Sequence, residues 1–391
     1  MRRPPDTLFT GAFVWLALSD LAYFMASGAL IAATPFFVTG PLGSGPAGVG
    51  LAVGAFSVST LVLRPLAGRW TDRHGRRPLL IGGASLFAVL VVGHLLVTEL
   101  AGLVVLRLLL GMAEALYFVA GFAALADLAP PGRAGEALSY NSLALYLGIA
   151  TGPVIAQGLL ALGGFRLTWI GVGLLLGIAA LLATRVPETR EPVAGEEPPA
   201  PLIHPAALVP GLGLFAGIAA GSGFLAFASL HAARLGLHMW STVLGIFGIV
   251  VVACRVLFAT LPDRVPPLRL AAAALVVSGS GLVLIAVVPE VWSLLVGAVV
   301  LAVGSAFLTP AVFAAVFRNV APSERGSAAA TVSVFIDLGL SGGPILLGFV
   351  AGANGLSTAF LAAATLALAG ATVLGFRALP GTPAPANPGA A

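Results

Sequence analysis

Apolar residues run through this chain in long uninterrupted stretches, and short polar segments separate them. A helix needs roughly 20 mostly apolar residues to cross a hydrocarbon core of about 30 Å. The continuous runs, rich in Ala, Leu and Gly, favour closely packed helices over the alternating segments of a membrane β-barrel. The predicted membrane helices are 8–33, 47–66, 79–97, 101–127, 137–161, 166–184, 208–232, 240–260, 268–288, 290–317, 327–350 and 356–376. These twelve stretches predict an all-α membrane protein.

One long polar interruption, rich in Pro and Glu, divides six predicted helices from the other six. We therefore expect an N-terminal six-helix bundle over 1–184, a linker over 185–207 and a C-terminal six-helix bundle over 208–377. The tail, 378–391, has the Pro, Gly and Ala bias of a disordered end. The first apolar run contains Asp20 and is longer than the apolar region of a signal peptide, so we treat it as helix 1.

Composition excludes a soluble protein. Hydrophobic residues make up 59% of the 391 positions and charged residues 9%, whereas soluble domains carry about 25% charge. An isoelectric point near 10.0 would suggest a nucleic-acid partner in a soluble protein, but membrane topology accounts for it here, and no nucleic-acid partner is expected. The single cysteine, Cys254, predicts neither a disulfide framework nor a cysteine metal site.

The basic residues, all of which are Arg, predict the orientation of the helices. Most of them fall at even-numbered connections or at the termini: Arg2, Arg3, Arg69, Arg73, Arg76, Arg77, Arg133, Arg185, Arg190, Arg264, Arg269, Arg318, Arg325 and Arg377. Only Arg166 and Arg234 fall on the other side. The positive-inside rule then places both termini and the linker in the cytoplasm, with the protein in the plasma (cytoplasmic) membrane.

The two halves of the sequence repeat each other. A shift of about 191 residues superimposes Arg64 on Arg255, Asp72-Arg73 on Asp263-Arg264, and the set Gly148, Gly152 and Pro153 on Gly339, Gly343 and Pro344. Because helix n pairs with helix n+6, the halves share one orientation and are related by an axis along the membrane normal. This arrangement predicts a two-halved transporter with a binding site near the midplane.

The connection between helices 2 and 3 reads GRWTDRHGRRP and resembles the signature loop of the major facilitator superfamily. The matching residues are Gly68, Asp72, Arg73, Gly75, Arg76 and Arg77. Independently of the resemblance, the glycines allow a tight turn and close helix approach. The charges can form ion pairs between helix ends, and Asp127 at the end of helix 4 is the expected partner of Arg76.

The resemblance implies that this loop is a cytoplasmic gate, with Asp72 bracing the first half against the N-terminus of helix 11. The second-half copy, LPDRVPP, keeps Asp263 and Arg264 but lacks the glycines, so we expect the smaller gating role there. The alternative is that both sets of charges only enforce topology.

Helix 5 contains GIATGPVIAQG, which is similar to the motif of the antiporter branch of that superfamily. Gly148, Gly152 and Pro153 match, whereas Gln157 stands in the place of a closing glycine. The resemblance favours export. Physically, small residues one turn apart permit close helix crossing and a proline kinks a helix. Ordinary helix packing explains the same residues equally well.

Four ionisable residues lie inside predicted helices: Asp20, Arg107, Glu114 and Asp337. Each costs at least ~2.5 kcal/mol near the bilayer centre, which makes them functional candidates. Arg107 and Glu114 are two turns apart on one face of helix 4, and Arg107 with Gly111 resembles a family motif implicated in proton coupling. An arginine cannot release a proton, but it can stabilise an ionised carboxylate or bind an anionic group.

We therefore expect Asp20 and Glu114 to carry the coupling protons, provided that water or solute can reach them. The alternative is a structural ion pair of either acid with Arg107. Asp337 fits a coupling role or a helix brace equally well.

Six residues lie on helices that line the cavity in the family: Tyr23, Phe24, Tyr117, Phe118, Asn141 and Tyr146. Such a wall suits an amphiphilic or aromatic compound better than a sugar, which needs many polar partners. Lipid-facing or core positions are the alternative for these aromatic residues. His94 and His231 have no second ligand at metal spacing, and we interpret both as structural.

The sequence has no H-E-x-x-H motif, no credible G-x-S-x-G elbow and no nucleotide-binding loop, so neither an enzyme nor an ATP-driven pump is expected. The leading hypothesis is a monomeric, proton-coupled exporter of a drug-like compound or secondary metabolite, as in multidrug resistance, without a cofactor. Proton-linked uptake of a small metabolite or sugar efflux is the second hypothesis, and a transporter-like receptor is the third.

Overall fold

The computed structural model describes residues 8–130, 134–190, 203–258, 260–321 and 324–377. In chain order its helices are α1 Gly11–Thr39, α2 Pro46–His74, α3 Arg76–Val92, α4 Leu100–Leu128, α5 Ala134–Ala183, α6 Pro205–Arg234, α7 Thr242–Leu257, α8 Leu261–Arg264, α9 Pro267–Val287, α10 Val291–Phe317, α11 Arg325–Asn354 and α12 Leu356–Arg377. A 3₁₀ turn, Gly93–Leu96, extends α3.

Twelve segments of these helices correspond to the predicted membrane helices. Ten of the described helices are long and apolar enough to span a membrane, and the shorter apolar helix Thr242–Leu257 corresponds to another predicted span. Within α5 the backbone leaves helical geometry at Gly163 and Gly164, and Gly164 has a φ of +62° that suits glycine. This break separates predicted helices 5 and 6. The twelve-helix, all-α fold predicted from the sequence is confirmed.

Several helices extend beyond the apolar stretches that predicted them. The helix α1 continues past the predicted end to Thr39, and α2 continues to His74 through a polar segment that begins at Arg69. Helical hydrogen bonding of the backbone can continue outside the hydrocarbon region, where the residues are polar and hydropathy no longer indicates a helix. Pro35 and Pro65 lie inside these two helices without ending them.

Internal contacts divide the chain into two compact units. The first comprises Met1–Glu196 with Leu225–Val252, and the second comprises Glu197–Phe224 with Ala253–Ala391, each considered over its described residues. In the first unit α1 packs along α5, α2 packs against α4, and α3 packs against both α4 and α5. The side chains of Tyr23, Tyr117 and Trp169 are buried in this unit.

In the second unit α9 packs against both α10 and α12, and α11 packs against α12. The first part of α6 lies against α11, where the Ser222 hydroxyl donates to the main-chain oxygen of Gly339 at 3.0 Å. The segment Leu225–Val252, which the sequence places in the C-terminal bundle, belongs to the first unit by its contacts. There the side-chain amide of Gln157 on α5 donates to the main-chain oxygen of His238 at 2.9 Å.

The predicted linker is described only at its two ends. Residues up to 190 contact the first unit, and α6 begins at Pro205. The remainder of the linker, 191–202, and the predicted tail, 378–391, lie outside the described residues. The predicted bundle boundaries therefore stay a prediction.

Candidate functional site

Asp20 of α1 is hydrogen-bonded to α4 in the interior of the first unit. The hydroxyl of Tyr117 donates to Asp20 Oδ1 at 2.9 Å and also lies 2.8 Å from Ser19 Oγ. The Ser19 hydroxyl donates to the main-chain oxygen of Ala179 on α5 at 2.8 Å. These contacts connect α1, α4 and α5 through polar atoms at a buried position.

Glu114 of α4 is bonded to α1 in the reciprocal way. The hydroxyl of Tyr23 donates to Glu114 Oε2 at 3.0 Å. The rings of Tyr23 and Tyr117 are stacked, with centroids 4.0 Å apart and planes 7° apart. Asp20 and Tyr23 are three residues apart, as are Glu114 and Tyr117, so each acid and tyrosine share one helix face.

We refer to Ser19, Asp20, Tyr23, Glu114 and Tyr117 as the acid–tyrosine cluster. Aromatic rings enclose part of it, because Phe87 of α3 lies 5.3 Å from the Tyr23 ring and Phe24 packs edge-on against the same ring at 5.7 Å. The second carboxyl oxygen of Asp20, Oδ2, is buried and has no hydrogen-bond partner among the described residues. A charge there is costly without full pairing, so this position favours reversible binding of a proton.

The two acids differ in access. Asp20 is only 3% exposed, whereas Glu114 is half-buried. Asp20 is therefore enclosed in this conformation, while part of the Glu114 side chain stays exposed at the surface of the helices. Proton exchange at Asp20 needs either a different conformation or transfer through its hydrogen-bonded neighbours.

Arg107 lies away from the cluster. Its guanidinium is hydrogen-bonded to the hydroxyl of Thr34, and its Nε has no partner among the described residues. Thr34 is fourteen residues beyond Asp20, roughly 21 Å along α1. The described residues contain no ion pair of Arg107 with Asp20 or Glu114, so the alternative of a structural ion pair is wrong.

The aromatic residues predicted to line a cavity occupy different environments. Tyr23, Phe24 and Tyr117 are buried in the first unit. Phe118 is half-buried, and the Arg64 guanidinium lies 5.2 Å from its ring centroid. Tyr146 on α5 is half-buried, and the side chain of Asn141 lies outside the described residues. The cavity-lining role of this set stays a prediction.

Asp337 lies in the second unit, on α11, and is 3% exposed. The Ser341 hydroxyl, one turn further along, donates to the main-chain oxygen of Asp337 at 2.8 Å. The coupling role and the helix brace both stay predictions for Asp337.

The small residues of the repeated motif lie at close helix crossings. A methyl group at Gly148 or Gly152 would overlap the main chain of α1 at Phe24 and Met25. In the second unit, a methyl group at Gly343 would overlap the main chain of α6 at Ala219, and one at Gly339 would overlap the side chain of Ile218 on the same helix. The close crossings expected from the sequence are present, and α5 is thereby held beside the part of α1 that follows Asp20. Pro153 and Pro344 lie inside helices that continue past them.

The junction of α2 and α3, where Gly75 separates the two helices, forms the expected ion pair. Arg76 Nε donates to Asp127 Oδ2 at 3.0 Å, whereas Asp72 is 70% exposed and lies 3.6 Å from Arg76.

Gly75 has a φ of +96°, and a side chain there would overlap Glu188. At Gly68 no described atom lies within 4 Å of an added methyl group, so close helix approach is the wrong explanation for that glycine. The gating roles of Asp72, Arg73 and Arg77 stay predictions.

Sequence reasoning missed Glu188, which fastens the start of the linker to this junction of α2 and α3. Its Oε1 accepts from the backbone N–H of Arg76 at 2.9 Å, and its Oε2 accepts from that of Arg77 at 3.1 Å. The neighbouring Thr189 hydroxyl donates to Asp127 Oδ2 at 2.8 Å. Partial burial raises the pKa of Glu188, but the backbone N–H groups outweigh it and hold that pKa below its ordinary value. More than a hundred residues separate the partners, so no local pattern signals this contact.

Other features of the described residues are poorer site candidates. A groove between α1 and α5 is lined by apolar side chains and contains none of the predicted site residues. No group of three or more His, Cys, Asp or Glu residues in the described ranges could hold a metal ion. His94 stacks on Trp169 at 4.4 Å and its Nδ1 lies 2.9 Å from the main-chain oxygen of Val91, as suits a structural histidine.

Comparison with known proteins identifies the family to which this architecture belongs. The family model described as Major Facilitator Superfamily matches residues 16–288 and 241–391. An uncharacterized MFS-type transporter of Salmonella typhimurium is 30% identical over 339 residues, which cover 83% of this chain and 86% of that protein. One of Burkholderia mallei is 31% identical over 363 residues, which cover 89% and 87%.

A solved structure shows the same fold. The bacterial homolog of the human lysosomal transporter Spinster, in an inward-facing and occupied conformation, matches with a TM-score of 0.79 at 15% identity. The match covers 93% of this chain and 95% of that chain. The family match extends over both halves of the sequence and agrees with the twelve-helix fold. This chain therefore belongs to the major facilitator superfamily of membrane transporters.

Proposed function

We propose that this transporter is proton-coupled and exports an amphiphilic or aromatic compound, such as a drug or a secondary metabolite. The observation that carries the proposal is the reciprocal pairing of two carboxyl groups with two tyrosines across α1 and α4. Asp20 is bonded to Tyr117, and Glu114 is bonded to Tyr23, inside an apolar bundle. Acids are rarely retained in such surroundings unless they bind an ion or a solute.

Coupling follows from the different access of the two acids. Glu114 is half-buried, so a proton or a cationic group of the solute can reach it, whereas Asp20 is enclosed. Solute and proton compete for the same carboxyl groups, and binding of either one removes the cost of a buried charge. A swing of the two halves then exposes the loaded site on the other side of the membrane.

The substrate class is argued from the surroundings of Glu114. Stacked tyrosines lie beside it, and the half-buried Phe118 is one turn further along α4. Aromatic faces with few other polar groups suit an amphiphilic or aromatic compound that carries a cationic or hydrogen-bond-donating group. The helix 5 motif favours export within this proposal.

Transport by proteoliposomes tests the proposal. A pH jump across the vesicle membrane is combined with lipophilic cations, antibiotics and sugars as candidate solutes. An antiporter accumulates solute in vesicles with an acidic interior, a symporter in vesicles with an acidic exterior, and a receptor in neither. We expect accumulation of a lipophilic cation or an antibiotic with the acidic interior.

Removal of the acids supplies the residue-level test. Asp20→Asn and Glu114→Gln should each reduce proton-driven uptake to the level of protein-free vesicles, because an amide binds no proton at working pH. Glu290 is an exposed acid at the start of α10, and its side chain makes no capping bond. The variant Glu290→Gln is therefore the matched control and should transport normally. Normal coupled flux in both cluster variants would show that the acids were assigned wrongly.

A further inference from the structure

Three short oxygen–oxygen contacts follow one another at the buried end of the acid–tyrosine cluster. Asp20 Oδ1 lies 2.9 Å from the Tyr117 hydroxyl oxygen, which lies 2.8 Å from Ser19 Oγ. Ser19 Oγ lies 2.8 Å from the main-chain oxygen of Ala179. Each of these distances is that of an O–H···O hydrogen bond, and each bond needs a hydrogen of its own between the two oxygens.

The hydrogens available to these contacts can be counted. The serine and tyrosine hydroxyls bring one hydrogen each, while the carbonyl oxygen and an ionised carboxylate bring none. With Asp20 ionised, Tyr117 donates to the carboxylate and Ser19 can serve only one of the two remaining contacts. Two oxygens then face each other at 2.8 Å without a hydrogen, in a buried place where unmade hydrogen bonds are costly.

A proton on Asp20 completes the set. The carboxyl O–H donates to Tyr117, Tyr117 donates to Ser19, and Ser19 donates to Ala179, so that every contact contains one hydrogen. We infer that Asp20 holds a proton in this conformation, and that Ser19 and Tyr117 are positioning residues that determine when the proton leaves. The role of this proton in transport rests on the function proposed above, but the inference that Asp20 is protonated does not.

Neighbouring groups leave this count unchanged. Among the described side chains, the titratable neighbours of Asp20 are Tyr117 and Glu114 of α4 and Tyr23 of α1 itself. Tyr23 gives its hydrogen to Glu114 at 3.0 Å and supplies none to Asp20. From α5, the described group that reaches this row of contacts is the Ala179 carbonyl. Asp20 Oδ2 has no partner among the described residues, which a neutral carboxyl group tolerates better than a carboxylate.

The two positioning residues have opposite expected effects. In Ser19→Ala the Tyr117 hydroxyl loses its other acceptor and is left to donate to the carboxylate, so the ionised form of Asp20 is favoured. In Tyr117→Phe the carboxylate loses its donor, so the protonated form is favoured. Infrared difference spectroscopy of the purified full-length protein can follow the carbonyl stretch of the protonated Asp20 side chain against pH, with Asp20→Asn identifying the band.

We expect the band at neutral pH in the wild type. Its pH midpoint should fall by about 1 pH unit in Ser19→Ala and rise by about 1 pH unit in Tyr117→Phe, the equivalent of one hydrogen bond to a charged group. Ser27→Ala is the matched control, because Ser27 Oγ on the same helix is buried and has no hydrogen-bond partner among the described residues. Its midpoint should equal that of the wild type.

The outcomes separate this inference from the proposed function. Absence of the Asp20 band at neutral pH in the wild type would overturn the inference. Midpoints that move in the same direction in Ser19→Ala and Tyr117→Phe would also overturn it, because a packing defect alone could produce such a shift. A titrating Asp20 in a protein without proton-driven flux would leave the inference standing and remove the coupled function. If one variant does not fold, the wild-type band and the other variant still decide.

Discussion

Glu188 illustrates how one surface carboxylate joins two segments that are distant in sequence. It accepts hydrogen bonds from the first two backbone N–H groups of α3, where a helix has no internal acceptor for them. The favourable position of a negative charge at a helix N-terminus adds to these bonds. The end of α5 is thereby attached to the junction of α2 and α3, which carries the Arg76–Asp127 ion pair.

The pKa of Glu188 lies below its ordinary value in the folded protein. Its contribution to stability is therefore complete above the ordinary carboxyl pKa, and it is lost as the pH falls through the lowered folded value. Glu188→Gln should lower the free energy of unfolding by about 1 kcal/mol at neutral pH, as for the loss of a helix cap. Thermal unfolding in detergent should show this difference at pH 7 and its disappearance in strong acid.

Glu99→Gln is the matched control for that experiment. Glu99 precedes α4 but makes no side-chain capping bond. Its substitution should leave the unfolding temperature unchanged at both pH values. If Glu188→Gln behaved in the same way, the attachment would contribute nothing to stability.

At the scale of the helices, two glycines on α5 have contrasting surroundings. A methyl group at Gly148 would overlap the main chain of α1 at Phe24, whereas at Gly158 no described atom lies within 4 Å. Main chain cannot move aside as a side-chain end can, so helix separation must increase around Gly148. The two positions therefore separate the effect of close packing from that of helix propensity.

Gly148→Ala should destabilise the first unit and displace α5 from α1 beside the acid–tyrosine cluster. We expect a cost of 1–3 kcal/mol, about that of overpacking a core, and reduced transport. Gly158→Ala should be neutral or slightly stabilising, because alanine favours helix more than glycine does. Unfolding temperature and flux would be measured together for both variants; equal effects would refute the assignment of Gly148 to a tight crossing.

At the scale of the whole molecule, the distribution of arginines predicts which end faces the cytoplasm. The adjoining ends of α2 and α3 carry Arg69, Arg73, Arg76 and Arg77, whereas the connection between α3 and α4 carries no arginine. Retention of positive loops on the cytoplasmic side therefore predicts both termini inside the cell.

A cysteine-labelling experiment tests that orientation. The single native cysteine can be removed as Cys254→Ser, and reporters are introduced as Arg69→Cys and Thr98→Cys at exposed positions. In intact cells a membrane-impermeant maleimide should label Thr98→Cys at once and Arg69→Cys only after permeabilisation. The reverse pattern would invert the proposed topology.

The arrangement of the acid–tyrosine cluster could be predicted only in part. The sequence identifies Asp20, Tyr23, Glu114 and Tyr117 as candidates, and helical spacing places each acid on the same face as a tyrosine. Which acid bonds to which tyrosine depends on the rotation of α1 and α4 about their axes, and packing against α5 and α3 determines that rotation. For the same reason the distance of Arg107 from Asp20, and the enclosure of Asp20, could not be predicted.

The sequence by itself determined the membrane class, the twelve helices, the internal repeat and the Arg76–Asp127 pair. Transfer of apolar residues into lipid is a local free energy that adds along each segment, so it can be estimated without knowledge of the fold. The tertiary structure decided the reciprocal acid–tyrosine pairing, the attachment of Glu188 and the distance of Arg107 from Asp20. These depend on the distances and rotations of helices far apart in sequence, which only the packing of the assembled unit determines.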